Sequence, residues 1–190
     1  METKINAFGD VIGYDKLFNI NNKWFIIIRY TDKDDIYKED KKDALLVSDD
    51  YEHWTKADIS ADGMCIYYDL SYSNGIYYCH TDQDDKAYSI IYYSHDGIHW
   101  MESDLQKAVY IHGLYPGDEI ICCLYDKEDK NDCLACSIDG KTWFEIPIFN
   151  GTKIRDVHYY NHQWYFIVGA EDDLQTKICK TEELLTYFIP

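Results

Sequence analysis

One heptapeptide pattern, Ser-x-Asp-x-x-x-Trp, recurs along this chain and constrains its fold more than any other feature. It reads Ser48-Asp-Asp-Tyr-Glu-His-Trp54, Ser94-His-Asp-Gly-Ile-His-Trp100 and Ser137-Ile-Asp-Gly-Lys-Thr-Trp143. A weaker fourth copy, Thr181-Glu-Glu-Leu-Leu-Thr-Tyr187, keeps a hydroxyl, an acid and an aromatic at the same offsets. The copies start at positions 48, 94, 137 and 181, so the spacings are 46, 43 and 44 residues. A period of this size is the mark of a repeated supersecondary unit.

A second series runs in step with the first. Turn signals at Asn21-Asn-Lys23, Ser73-Asn-Gly75, Pro116-Gly-Asp118 and Asn161-His-Gln163 each precede a largely apolar run. Those runs are Trp24 to Tyr30, Ile76 to Cys79, Glu119 to Tyr125 and Trp164 to Val168. Strand, tight turn, strand, acidic turn, strand and S-x-D turn then fit each unit. The 16% aromatic content, with 19 tyrosines, suits pleated surfaces. The reading is an all-β chain: a small β-propeller of four blades, each of four antiparallel strands. One domain fills residues 1–190, with blades at roughly 9–59, 60–105, 106–148 and 149–190. Residues 3–8 are expected to supply an outer strand to the last blade.

These repeats resemble the Asp-box, or BNR repeat, of sialidase-like β-propellers. The resemblance implies that the box forms the turn between third and fourth strands of a blade, with the tryptophan packed between blades. It gives Ser48, Asp50, Trp54, Ser94, Asp96, Trp100, Ser137, Asp139 and Trp143 structural roles. Asp and Ser side chains do satisfy backbone donors in turns, and Gly97 and Gly140 supply permissive dihedrals. The first copy departs by placing Tyr51 where the other two have glycine. The likeness concerns fold rather than activity. Sialidases clamp a substrate carboxylate with three arginines and have six blades, whereas this chain has only Arg29 and Arg155 and four repeats. Sialidase chemistry is therefore excluded.

The formal charge of −17 excludes further classes. Nucleic-acid binders need a basic footprint, and none is present, so neither DNA, RNA nor an anionic membrane is an expected partner. Acidic stretches fall where each blade turns from its second to its third strand: Asp32 to Asp35, Asp82 to Asp85, Asp126 to Asp132 and Glu171 to Asp173. The expected site is an acidic rim containing Asp34, Asp35, Asp84, Asp85, Asp129, Asp172 and Asp173, docking on a basic protein surface. One version is an inhibitor of a nucleic-acid-binding protein, of the phage anti-CRISPR or counter-defence type. The alternative is a carbohydrate or small-ligand site at the mouth of the central funnel. Counting back from each first turn places Asp15, Tyr67, Tyr110 and Arg155 there, followed by Leu17, Asp69, His112 and Val157; of these, Tyr67, Asp69, Tyr110, His112 and Arg155 are the candidate ligands' partners.

No catalytic, cofactor or metal motif stands out, so the sequence reads as non-enzymatic, with no cofactor and no metal. Cys133 and Cys136 form a C-x-x-C on a strand, where residues three apart face opposite sides and cannot ligate one ion together. The opening Met1 to Phe8 lacks the apolar core of a secretory signal, and seven cysteines without one read as reduced thiols in a cytoplasmic protein.

Overall fold

The computed structural model describes residues 10–31, 41–59, 65–83, 88–105, 108–128, 130–146, 153–169 and 177–181. They form four antiparallel sheets, each built from one contiguous stretch of chain. The first contains β1 (Asp10–Ile20), β2 (Lys23–Thr31), β3 (Lys41–Ser48) and β4 (Thr55–Lys56). The second contains β5 (Cys65–Ser73), β6 (Ile76–Gln83), β7 (Ser89–Ser94) and β8 (Met101–Glu102). In the third are β9 (Tyr110–Pro116), β10 (Ile121–Lys127), β11 (Lys130–Ser137) and β12 (Phe144–Glu145). The fourth has three strands among the described residues, not the expected four: β13 (Lys153–Tyr160), β14 (Gln163–Gly169) and β15 (Lys177–Thr181). The expected outer strand at residues 3–8 lies outside the described residues. Among the described residues no helix is long and apolar enough to cross a membrane, which says nothing of a β-barrel.

The apolar runs are continuous rather than alternating because the middle sheets are covered on both faces. On β6 and β7, Tyr77, Cys79, Ile90 and Tyr92 join Phe25, Ile27, Leu45 and Val47 of the first sheet. Their neighbours Ile76, Tyr78, Ile91 and Tyr93 point the other way, against Ile121, Cys123 and Tyr125. A third layer sets Cys122, Leu124, Leu134 and Cys136 against Trp164, Phe166 and Val168 of the fourth sheet. Cys133 and Cys136 accordingly sit in different layers, as strand pleating requires. Packing thus runs from sheet to sheet in chain order, and among the described residues no comparable packing joins the fourth sheet to the first.

Tight turns open each unit. Asn21 and Asn22, Asn74 and Gly75, and Asn161 and His162 all take positive φ, which Asn and Gly tolerate in two-residue hairpins. At the same end of each sheet lie the three Ser-x-Asp turns, which share one set of hydrogen bonds. In the second, the backbone N–H groups of Ile98 and His99 both donate to Asp96 Oδ1 at 2.8 Å. Gly97 N–H donates to Ser94 Oγ at 2.9 Å, and the Trp100 indole donates to Gly97 O at 2.8 Å. Asp50 and Asp139 receive the equivalent pairs from Glu52 and His53, and from Lys141 and Thr142. Consecutive units are stitched at matching points: Asp58 N–H donates to Ile98 O at 2.7 Å, and Asp104 N–H to Lys141 O at 2.8 Å. The opposite end is marked by the terminal rungs Thr31 with Lys41, Asp82 with Ser89, Lys127 with Lys130 and Val168 with Lys177.

Candidate functional site

The first strand of every sheet carries a bulge, and in each sheet one bulge falls on polar residues. In β5, Tyr68 pairs with His80 and Leu70 with Cys79, so Asp69 is extra. In β9, Ile111 pairs with Tyr125 and Gly113 with Leu124, leaving His112. In β13, Ile154 pairs with Val168 and Asp156 with Ile167, leaving Arg155. β1 bulges twice, at Ile12 and across Asp15 and Lys16. A bulge bends its strand and re-aims a side chain, and such features concentrate near functional sites. Asp69 is also held at φ 25°, a conformation that costs free energy for a residue with a Cβ.

From these strands one polar group per sheet falls into two neighbouring pairs, Lys16 with Asp69 and Tyr115 with Asp156. Lys16 Nζ of the first sheet lies 3.6 Å from Asp69 Oδ1 of the second. Tyr115 of the third folds back over Gly113, where an added Cβ would come within 3.0 Å of its hydroxyl, so the missing side chain makes the room. The Tyr115 side chain lies close enough to Asp156 of the fourth sheet to feel its negative charge. Burial, followed by the negative charges of Asp156 and Asp69, pushes the Tyr115 phenol up to about 12, so it stays a proton donor at neutral pH. Asp156 accepts from Val157 N–H at 2.9 Å and meets His158 Nε2 at 2.9 Å. The arrangement offers an ammonium, a phenol O–H and two carboxylates within one polar seam.

The residues named from the sequence divide unevenly. Asp69 belongs to the seam. Tyr110, half exposed, sets its ring edge-on to His112 at 5.1 Å, and His112 Nε2 lies 3.1 Å from Asp126 Oδ1. Arg155 is exposed at its bulge. Tyr67 pairs through its backbone with Thr81, and its side chain is outside the described set. Asp34, Asp35, Asp84, Asp85, Asp129, Asp172 and Asp173 also fall outside the described residues. Sequence reasoning missed Lys16, Tyr115 and Asp156; Lys16 and Asp156 adjoin counted positions, whereas Tyr115 lies three residues beyond His112 and carried no signal. Among the described residues no group of three or more His, Cys, Asp or Glu side chains is placed to hold a metal ion.

No family model and no curated protein matches this chain. Similar solved structures do exist. The chain resembles the Pyrococcus horikoshii acylaminoacyl peptidase with a TM-score of 0.56 and 12% identity, over 90% of this chain and 31% of that one. Against the β-propeller domain of the Trilobed protease from Pyrococcus furiosus, described as having an open velcro topology, the TM-score is 0.54 at 10% identity, over 91% and 55% of the two chains. Zg3597, a family 117 glycoside hydrolase produced by the marine bacterium Zobellia galactanivorans, gives 0.46 at 11% identity, over 90% and 66%. The chain therefore spans about a third and about half of the length of the two proteases. The likeness to the two proteases corrects the non-enzymatic reading of the sequence: sheets of this kind occur within enzymes, so a lack of familiar catalytic motifs does not remove this chain from that class. What the likeness establishes is the fold, an all-β arrangement of propeller-like sheets.

Proposed function

We propose that this chain is a four-bladed propeller of the Asp-box type whose inner-strand bulges form an axial site for a small polar ligand, with carbohydrate as the best-fitting class. The observation that carries this reading is the seam of Lys16, Asp69, Tyr115 and Asp156, one group from each sheet, built around a backbone outlier at Asp69. Vicinal hydroxyls both donate and accept, and the seam supplies donors in Lys16 and Tyr115 and acceptors in Asp69 and Asp156. Tyr14 and Tyr110, exposed on the same first strands, offer rings for the apolar face of a sugar. Arg155 would add a guanidinium for an acidic substituent. The shared Ser-x-Asp hydrogen-bond set supports the Asp-box identity.

Titration of the protein against a library of neutral and acidic oligosaccharides tests this. Saturable binding that tolerates salt is expected, with affinity falling about tenfold in Tyr115→Phe through loss of one hydrogen bond. Binding to none of them, or binding indifferent to Tyr115→Phe and Asp69→Asn, would overturn the reading.

A second reading is favoured by the −17 charge and by the common end at which the second-to-third-strand rungs finish. In it, the acidic connections dock on a basic protein surface, and an inhibitor covering a nucleic-acid-binding face is one such case. Binding would then weaken steeply with salt. Charge reversal at Asp34, Asp35, Asp84 and Asp85 should abolish it, and unchanged affinity would sink it.

A further inference from the structure

The third sheet places Cys122 of β10 directly across from Cys136 of β11, with the two sulfurs 2.7 Å apart. Directly opposed residues of an antiparallel pair have Cα atoms about 4.5–5.5 Å apart, inside the span a disulfide bridges. Both side chains are fully buried in the layer shared with Leu124, Leu134, Trp164 and Phe166. The neighbouring thiols are differently disposed. Cys123 and Cys133 face the opposite layer, where Cys123 opposes Ala135 and Cys133 opposes Tyr125, so neither has a cysteine across from it. The C-x-x-C spacing seen in the sequence is therefore misleading: the partner of Cys136 is Cys122, not Cys133.

We propose that Cys122 and Cys136 are a dithiol oxidation site that closes to an intrachain cross-strand disulfide. The oxidant is a small disulfide such as oxidised glutathione. One cysteine thiolate attacks it to give a mixed disulfide and one reduced glutathione. The second thiolate then displaces the other glutathione, forming the protein S–S bond. Two electrons pass from the cysteine sulfurs to the oxidant's S–S bond, and the two cysteine protons end on the two released thiols. Burial fixes when this happens. Oxidant cannot reach either sulfur while the third and fourth sheets are packed, and burial also pushes the Cys122 thiol up, so little thiolate is present. Oxidation thus waits on opening of that layer. The closed bond afterwards restrains the unfolded chain.

The test incubates the full reduced protein with oxidised glutathione across urea concentrations below its unfolding midpoint, then alkylates, digests and maps the thiols by mass spectrometry. A Cys122–Cys136 linked peptide, about 2 Da lighter than its reduced parts, should form faster as urea rises. Oxidised protein should melt several degrees higher, and dithiothreitol should reverse this. Cys133→Ser should keep both the link and the shift. Cys122→Ala should lose both, with Cys136→Ala as the companion variant should it fold poorly. Glutathione retained on both cysteines without a link, a link through Cys123 or Cys133, or no gain in melting temperature would each overturn the proposal.

Discussion

The Ser-x-Asp turn that follows β3 and the one that follows β7 contain the same hydrogen bonds in different surroundings. Both aspartates accept two backbone N–H groups and a ring nitrogen: His53 Nδ1 at 2.7 Å in the first, His99 Nδ1 at 2.7 Å in the second. The second turn presses on the first sheet, where an added Cβ on Gly97 would lie 3.0 Å from Phe25 Cζ. Gly140 of the third turn is tighter still, 2.9 Å from Tyr93 Cβ. The first turn carries Tyr51 at φ 66°, its ring stacked edge-on between Trp24 at 5.1 Å and Trp54 at 5.7 Å. The lesson is that the hydrogen bonds are a local property of the heptapeptide, whereas the glycine is dictated by the preceding sheet. Among the described residues no preceding sheet packs against the first turn, and there a side chain is accommodated despite the positive φ.

The tryptophans give the largest test of that difference. Trp100 is 6% exposed within the layer between the first two sheets, while Trp54 is only partly buried. Trp100→Ala should cost about 3–5 kcal/mol, the usual range for emptying an aromatic site in a core. Trp54→Ala should cost less than half as much, read from urea midpoints at constant slope. Equal losses would mean that the two turns are equally embedded, and the contrast would fail.

Glycine replacement comes next in size. Gly140→Ala meets both the left-handed φ penalty and an unyielding Cβ on Tyr93, together about 3 kcal/mol. At Gly97 the obstacle is the far end of a ring, which can move, so Gly97→Ala should cost about half that. Tyr51→Gly relieves backbone strain and loses two ring contacts, and should change stability by less than about 1 kcal/mol in either direction. Reversal of the order of Gly140 and Gly97 would show that the preceding sheet does not set the requirement.

How legible these features were in the sequence follows from how local they are. The Ser-x-Asp turns could be read because Ser94, Asp96, Gly97 and Trp100 satisfy one another within a heptapeptide. The second strands could be read because Phe25 to Ile28 and Ile121 to Tyr125 are apolar on both faces. Counting back from the turns reached four bulged positions, Asp15, Asp69, His112 and Arg155, and four regularly paired ones, Leu17, Tyr67, Tyr110 and Val157, because nothing in the sequence announced a bulge. Lys16 and Tyr115 were out of reach, because their partners Asp69 and Asp156 come from other sheets and depend on inter-sheet packing. The same holds for Cys122, whose partner is fixed by strand register rather than by spacing.

The smallest effect concerns the histidines, present in the first two turns and replaced by Thr142 in the third. The hydrogen bond and charge of Asp96 raise the pKa of His99 above its ordinary value. Burial pushes Asp96 up, but hydrogen bonds from the His99 ring, the His99 and Ile98 backbone and Ser94 outweigh it and hold the carboxyl well below the usual range. For the histidine, the protonated form is the one favoured by folding. Its contribution is fully present below the unfolded pKa of about 6.5 and is lost as pH rises through the folded value. For the aspartate, the ionised form is favoured, so its contribution is present above the unfolded pKa of about 3.9 and is lost as pH falls through the depressed folded one. His99→Thr, which copies the third turn, should therefore lower the urea midpoint more at about pH 5.5 than at about pH 8.5. Because the imidazole is exposed, added salt should shrink the gap. A midpoint difference that is the same at both pH values would show that His99 acts in this turn as a neutral hydrogen-bonding group, interchangeable with Thr142 in its neighbour.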